Sequence, residues 1–135
     1  MRLSRMFSTV EATAHCDLPC GVYDPAQARI EAESVKAIQE KYQQNEDPVY
    51  RTRCVMIIEQ RSHIAKEHLW TLWTDYFEPE HVEKYPQIHD LFWRATKAAG
   101  ANGAKSVDPA TGQQLLDLID EIADIFWETK GGKPS

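Results

Sequence analysis

Apolar residues recur at helical spacing over most of the chain, and no stretch alternates as a half-buried strand would. Ala28, Ile30, Val35, Ile38 and Tyr42 predict a first helix over about 25–44. Asp24 suits its N-cap and Pro25 its first helical position. Val55, Ile58, Ile64, Leu69, Leu72, Trp73 and Tyr76 mark a longer second helix over about 48–76. "FEPEHVEKYP" breaks the pattern with its prolines and reads as a connecting loop. Ile88, Leu91, Phe92 and Ala95 predict a third helix over about 86–99, ended by the glycines of "GANGAKS". Leu115, Ile119, Ile122, Ile125 and Phe126 predict a fourth over about 108–129, with "DP" again at its start. Four amphipathic helices joined by short connections bury their stripes best side by side. The expected fold is therefore all-α, an antiparallel four-helix bundle.

Composition narrows the function classes. A chain of 135 residues suggests one domain with a modest core. Its formal net charge of −6 argues against a nucleic-acid or acidic-membrane partner, either of which needs a basic surface. No apolar run approaches the roughly 20 residues of a membrane span. Three cysteines, Cys16, Cys20 and Cys54, make no disulfide framework. An odd count without a secretory pattern suggests a reducing compartment, and the expected location is cytoplasmic. The four tryptophans are many for so small a bundle, so some are expected at contacts between subunits.

The chemistry concentrates before the first helix, in "HCDLPCGVYDP" from His15. Ahead of it stands "MRLSRMFSTVEATA", whose "ATA" has the small-x-small look of a cleavage site but which lacks a secretory apolar core. Residues 1–14 read as a short pro-segment; a plain N-terminal tail is the alternative. Suppose the chain is cut before His15. A free α-amine then joins the Cys16 amide nitrogen and the Cys16 and Cys20 thiolates. The amine and amide nitrogens share one five-membered chelate ring, and the amide nitrogen and its own thiolate share a second. Leu18-Pro19 can turn Cys20 back to the fourth corner, with a cis bond as one way to do so. A planar N2S2 set suits Ni(II) or Cu(II) and not tetrahedral Zn(II). The His15 imidazole is left as an axial donor. Uncut, the His15 nitrogen is an amide with no lone pair to give.

These residues carry a resemblance. The pattern H-C-x-x-P-C-G-x-Y, in "HCDLPCGVYDPAQARIEAESV", resembles the nickel hook of the nickel-containing superoxide dismutases. The likeness runs from His15 to about Lys130 and includes "EQR", "LWTDYF" and "DPATGQ…IFWETK". It implies a hook over 15–23, a mature domain over 15–135 and removal of the segment before His15 by a maturation peptidase. It implies one nickel ion per subunit, cycling between Ni(II) and Ni(III) as superoxide becomes dioxygen and hydrogen peroxide. It implies His15 as amine and axial ligand, and Cys16 and Cys20 as the remaining ligands. Tyr23 and Asp17 match residues that close over the site, and Tyr76 matches a second tyrosine near the pocket. Glu31 and Arg61 match a pair that holds the imidazole, the expected support behind a metal-bound histidine. The resemblance also implies a homohexamer. Without it, Glu31 and Arg61 read as a surface ion pair, and Tyr23 and Tyr76 as core aromatics.

Other residues carry less. His63 and His68 lie five apart, off the i, i+4 register of a helical metal pair, and read with His81 and His89 as ordinary surface or core residues. Cys54 reads as a small buried residue. A non-catalytic nickel-binding or metal-sensing bundle, or a bundle with a Cys16–Cys20 disulfide, remain as alternatives.

Overall fold

The computed structural model describes residues 20–135. They form helices α1 (Ala26–Gln44), α2 (Pro48–Thr71), α3 (Pro79–Lys84), α4 (Ile88–Ala98) and α5 (Pro109–Thr129), and among them there is no strand. The four longer helices make the expected bundle, α1 packing on α2 and α5, and α4 on α5 and α2.

Local chemistry starts α1, α2, α3 and α5. The Asp24 carboxylate accepts from the Ala26 N–H at 2.7 Å, one residue ahead of the first assigned turn. Asp47 accepts from Tyr50 N–H at 2.8 Å and Asp108 from Ala110 N–H at 3.0 Å, each with proline at the next position. The stretch expected as a loop holds a short helix, α3. There Glu78 and His81 form a reciprocal capping box, with Glu78 N–H donating to His81 Nδ1 at 3.0 Å. Its proline stands at the helix start, where a missing N–H costs nothing.

The second predicted helix does not run as one regular element. After Thr71 it widens into a π-helical turn, Leu72–Tyr76, closed by the Phe77 N–H donating to the Leu72 carbonyl at 3.2 Å. Thr74 Oγ1 donates to the Trp70 carbonyl at 2.8 Å inside this turn. The extra residue lets Trp73 stack on Phe92 of α4, while Tyr76 lies against Phe126 of α5 with ring centroids 4.3 Å apart.

The seam of the bundle is built from smaller residues than the apolar pattern suggested. On α1 the buried positions are Ala28, Ala32, Val35 and Gln39, and on α2 Cys54, Ile58, Ser62, Ala65 and Leu69. Ile30 and Val55 were expected inside, yet are 58% and 45% exposed. Ile30 lies about 200° around the helix from Ala28, and Val55 about 100° from Cys54, so neither can share the seam. Cys54 is buried, as expected for a small core residue.

Gln39 pins the connection before α5. Its buried Nε2 donates to the Ala104 and Ser106 carbonyls and to Thr111 Oγ1, at 3.0, 2.9 and 3.0 Å. Gly112 sits beside it, where a Cβ would come 2.4 Å from Gln39 Oε1 and 3.0 Å from Lys36 Cα. The glutamine is held on its other side, so it cannot swing away. Gly112→Ala is expected to destabilise the fold by about 1–2 kcal/mol, overpacking outweighing a helix-propensity gain of about 1 kcal/mol. Urea unfolding measures this. An unchanged or higher midpoint would mean that α1 and α5 separate freely.

Candidate metal hook and its supports

His15, Cys16, Asp17 and the Leu18-Pro19 turn lie outside the described residues, as does the segment 1–14. The described part of the hook begins at Cys20, whose side chain is exposed. Gly21 follows with φ of +73°, a left-handed conformation that glycine adopts without strain. Val22 is 77% exposed, and only at Tyr23 does a side chain of this segment pack on the bundle.

Tyr23 is half-buried. Its hydroxyl shares a hydrogen bond with Nδ1 of His68, in the last turn of α2, and lies 3.5 Å from the His68 carbonyl oxygen, to which it can donate. Burial pushes the phenol up to about 12, with the Asp24 and Asp75 carboxylates adding to the rise. A Thr71 contact opposes this. Its effect exceeds that of either carboxylate but is outweighed by burial. At neutral pH Tyr23 is therefore a neutral hydrogen-bond donor.

The shift has a consequence for stability. The unfolded chain ionises near the ordinary phenol value of 10, while the folded chain holds this proton until about 12. Folding stability contributed by Tyr23 is thus present below pH 10 and falls as pH rises towards 12. Ultraviolet titration of the metal-free protein should show one late phenol step, absent in Tyr23→Phe. Normal titration of every tyrosine would contradict the burial.

The second tyrosine, Tyr76, ends the π-helical turn. Tyr76 Oη shares a hydrogen bond of 2.7 Å with Thr129 Oγ1, and its ring stacks on His81 at 5.7 Å. Lys130 links it to the hook. The ammonium lies 5.5 Å from the Tyr76 ring centroid, 4.8 Å from that of Phe126, and 3.4 Å from the Gly21 carbonyl, to which it donates. Only the fold brings Lys130, just past the end of α5, to Gly21.

Glu31 of α1 and Arg61 of α2 form an ion pair at 3.2 Å, the carboxylate largely buried and the guanidinium about two-fifths exposed. The remaining histidines are accounted for locally. His63 pairs with Glu67 at 3.3 Å, His89 accepts from Trp73 Nε1 at 2.9 Å, and His81 belongs to the α3 cap. His68 differs from the ordinary residue expected, because it holds the hook tyrosine. Its signal is absent from the sequence: forty-five residues separate it from Tyr23, and only the packing of the hook on α2 joins them.

Among the described residues no group of three or more His, Cys, Asp or Glu side chains could hold a metal ion. The donor chemistry fits: an exposed thiol at Cys20, a second at Cys16, an amide nitrogen and an amine give the anionic, soft set that nickel favours. Cys54, buried on α2, is outside it.

Fold and site together define a class: an all-α bundle carrying a thiol-bearing extended segment on its N-terminal edge. The chain belongs to the nickel-containing superoxide dismutase family, whose model matches residues 10–130. It is 60% identical over 130 residues to the nickel superoxide dismutase of Streptomyces coelicolor, covering 95% of this chain and 98% of that one. The nickel superoxide dismutase of Streptomyces seoulensis is 60% identical over 129 residues, with the same coverage. A native nickel superoxide dismutase structure superposes with a TM-score of 0.83 at 61% identity, covering 87% of this chain and all of that one. An apo structure of a nickel superoxide dismutase gives 0.79 at 59% identity, covering 83% and 100%.

Proposed function

We propose that this chain is a nickel-dependent superoxide dismutase, converting two superoxide ions and two protons to dioxygen and hydrogen peroxide. The observation that carries this reading is an unbroken H-C-x-x-P-C-G-x-Y hook within a family match that spans nearly the whole chain. The hook becomes competent once residues 1–14 are removed by a peptidase, leaving residues 15–135 as the mature domain.

In this account His15 binds through its α-amine and imidazole, Cys16 through its amide nitrogen and thiolate, and Cys20 through its thiolate. When bound, nickel supplies a one-electron couple, accepting an electron from one superoxide and passing it to the next. The protein's residues do the rest. Both cysteines lose their thiol protons on binding and keep negative charge at the centre, which favours the higher oxidation state. Arg61 holds the Glu31 carboxylate, and that carboxylate orients the His15 imidazole. Tyr23 and Asp17 close over the hook and order water, with Tyr76 beside them. Tyr23 keeps its proton at the phenol oxygen at neutral pH and so adds no negative charge beside an anionic substrate. Lys130 places a positive charge beside Gly21 in a chain of net charge −6, so attraction of an anionic substrate is local.

The family resemblance implies a homohexamer, and the exposure of Trp70 and Trp93, 42% and 56%, agrees with contacts between subunits. A cytoplasmic location agrees with the odd cysteine count, and no described helix is long and apolar enough to cross a membrane.

The alternative is a bundle that binds or senses nickel without turnover, and nickel content does not separate the two. Superoxide decay measured with the nickel-loaded, cleaved protein does. Decay far above that of the metal-free protein is expected. Equal decay in both would leave only the binding role.

A further inference from the structure

We propose that His68 is a positioning residue for Tyr23, holding its hydroxyl at Nδ1 and so fastening the end of the hook to α2. The proposal rests on the reading that Tyr23 closes over the metal site. Three observations support it. Cys20, Gly21 and Val22 are all exposed, so Tyr23 is the first part-buried side chain of the described residues. The Tyr23 hydroxyl and His68 Nδ1 share a hydrogen bond, and the two rings lie 5.8 Å apart, tilted by 36°. His68 itself stands on rigid backbone, in the last turn of α2, where the Leu72 N–H caps back onto the His68 and Leu69 carbonyls.

The geometry has a chemical consequence. The contact ties the phenol oxygen to one ring nitrogen on α2 and so fixes where the hydroxyl lies. Without that nitrogen the hydroxyl keeps the longer contact to the His68 carbonyl and the Thr71 side chain, and its position loosens. Asp24, Asp75 and Thr71 also act on the phenol, the carboxylates from solvent-exposed or half-exposed residues and Thr71 from the same helix. His68 Nδ1 makes the shortest of these contacts.

The test uses the chain beginning at His15, labelled with 3-fluorotyrosine, with the Tyr23 fluorine resonance assigned from Tyr23→Phe. His68→Leu removes the acceptor. His68→Asn keeps an amide oxygen near the Nδ1 position. His63→Leu is the control on the same helix. In the metal-free protein, His68→Leu is expected to move or broaden the Tyr23 resonance, while His68→Asn and His63→Leu leave it sharp and near its wild-type position. In the nickel-loaded protein, nickel content should be equal in all variants. kcat should fall about three- to tenfold in His68→Leu, the rate equivalent of one neutral hydrogen bond, and recover in His68→Asn. If His68→Leu lowers helical circular dichroism, His68→Gln, whose amide reaches the Nε2 position instead, takes its place. An unmoved Tyr23 resonance in the variant lacking the acceptor overturns the proposal. So does an equal loss in His68→Asn and His68→Leu, because filling space would then be the whole role. Should the wild-type protein consume no superoxide, the functional reading fails, and the fluorine spectra alone still decide whether His68 positions Tyr23.

Discussion

The full-length chain is expected to fold into its helices, bind nickel weakly and consume no superoxide, whereas a chain beginning at His15 should bind nickel and turn over. The reason lies in one nitrogen. While the Ala14–His15 bond is intact, that nitrogen belongs to a planar amide whose lone pair is delocalised into the carbonyl. It cannot donate, and one corner of the square is lost along with its chelate ring. The Cys16 amide alone does not rescue the site, because an isolated amidate is poorly stabilised without the adjoining ring. Among the described residues the buried seam begins at Ala28, and the Asp24 carboxylate accepts from the Ala26 N–H at the start of α1. Helical circular dichroism of the two forms should therefore agree, while nickel content and superoxide decay diverge. Full activity in the uncut form would mean that the amine is not a ligand.

Cys16→Ser and Cys20→Ser should each reduce superoxide turnover to background in the cleaved protein and leave the fold intact. A serine hydroxyl stays protonated at neutral pH, so the substitution removes both an anionic charge and a soft donor. Cys20 is exposed and contributes nothing to the core, so no loss of stability should accompany the loss of activity. Cys54→Ala provides the contrast. It removes a buried thiol from α2, far from the hook in sequence, and should cost some stability but no activity. Wild-type turnover in either hook variant would remove the thiolates from the mechanism.

Two kinds of information in the chain behaved differently. The hook and the helix starts were legible because they are local: a chelating motif is a run of adjacent residues, and Asp47-Pro48 and Asp108-Pro109 carry their capping chemistry within two positions. The bundle itself followed from four apolar stripes. What escaped depends on residues far apart in sequence. The seam between α1 and α2 runs through Ala28, Ala32, Ser62 and Ala65, whose small size permits close approach but gives a weak apolar signal. The more conspicuous Ile30 and Val55 face outward. The π turn at Leu72–Tyr76 has no pattern of its own at a period of 3.6, and it shows only in the Phe77-to-Leu72 hydrogen bond. The same holds at the site. Glu31 and Arg61 could be named from their match to a family pattern. His68 and Lys130 could not be named, since their relation to the hook exists only once α2 and α5 are packed.

The most direct test combines intact mass, nickel analysis and superoxide consumption on samples cleaved to different extents. If the His15 amine completes the site, bound nickel and activity should both rise in proportion to the fraction of chains whose mass begins at His15, reaching one nickel per cleaved chain. Nickel and activity that follow total protein, whatever the fraction cleaved, would contradict the coordination scheme and the role assigned to residues 1–14.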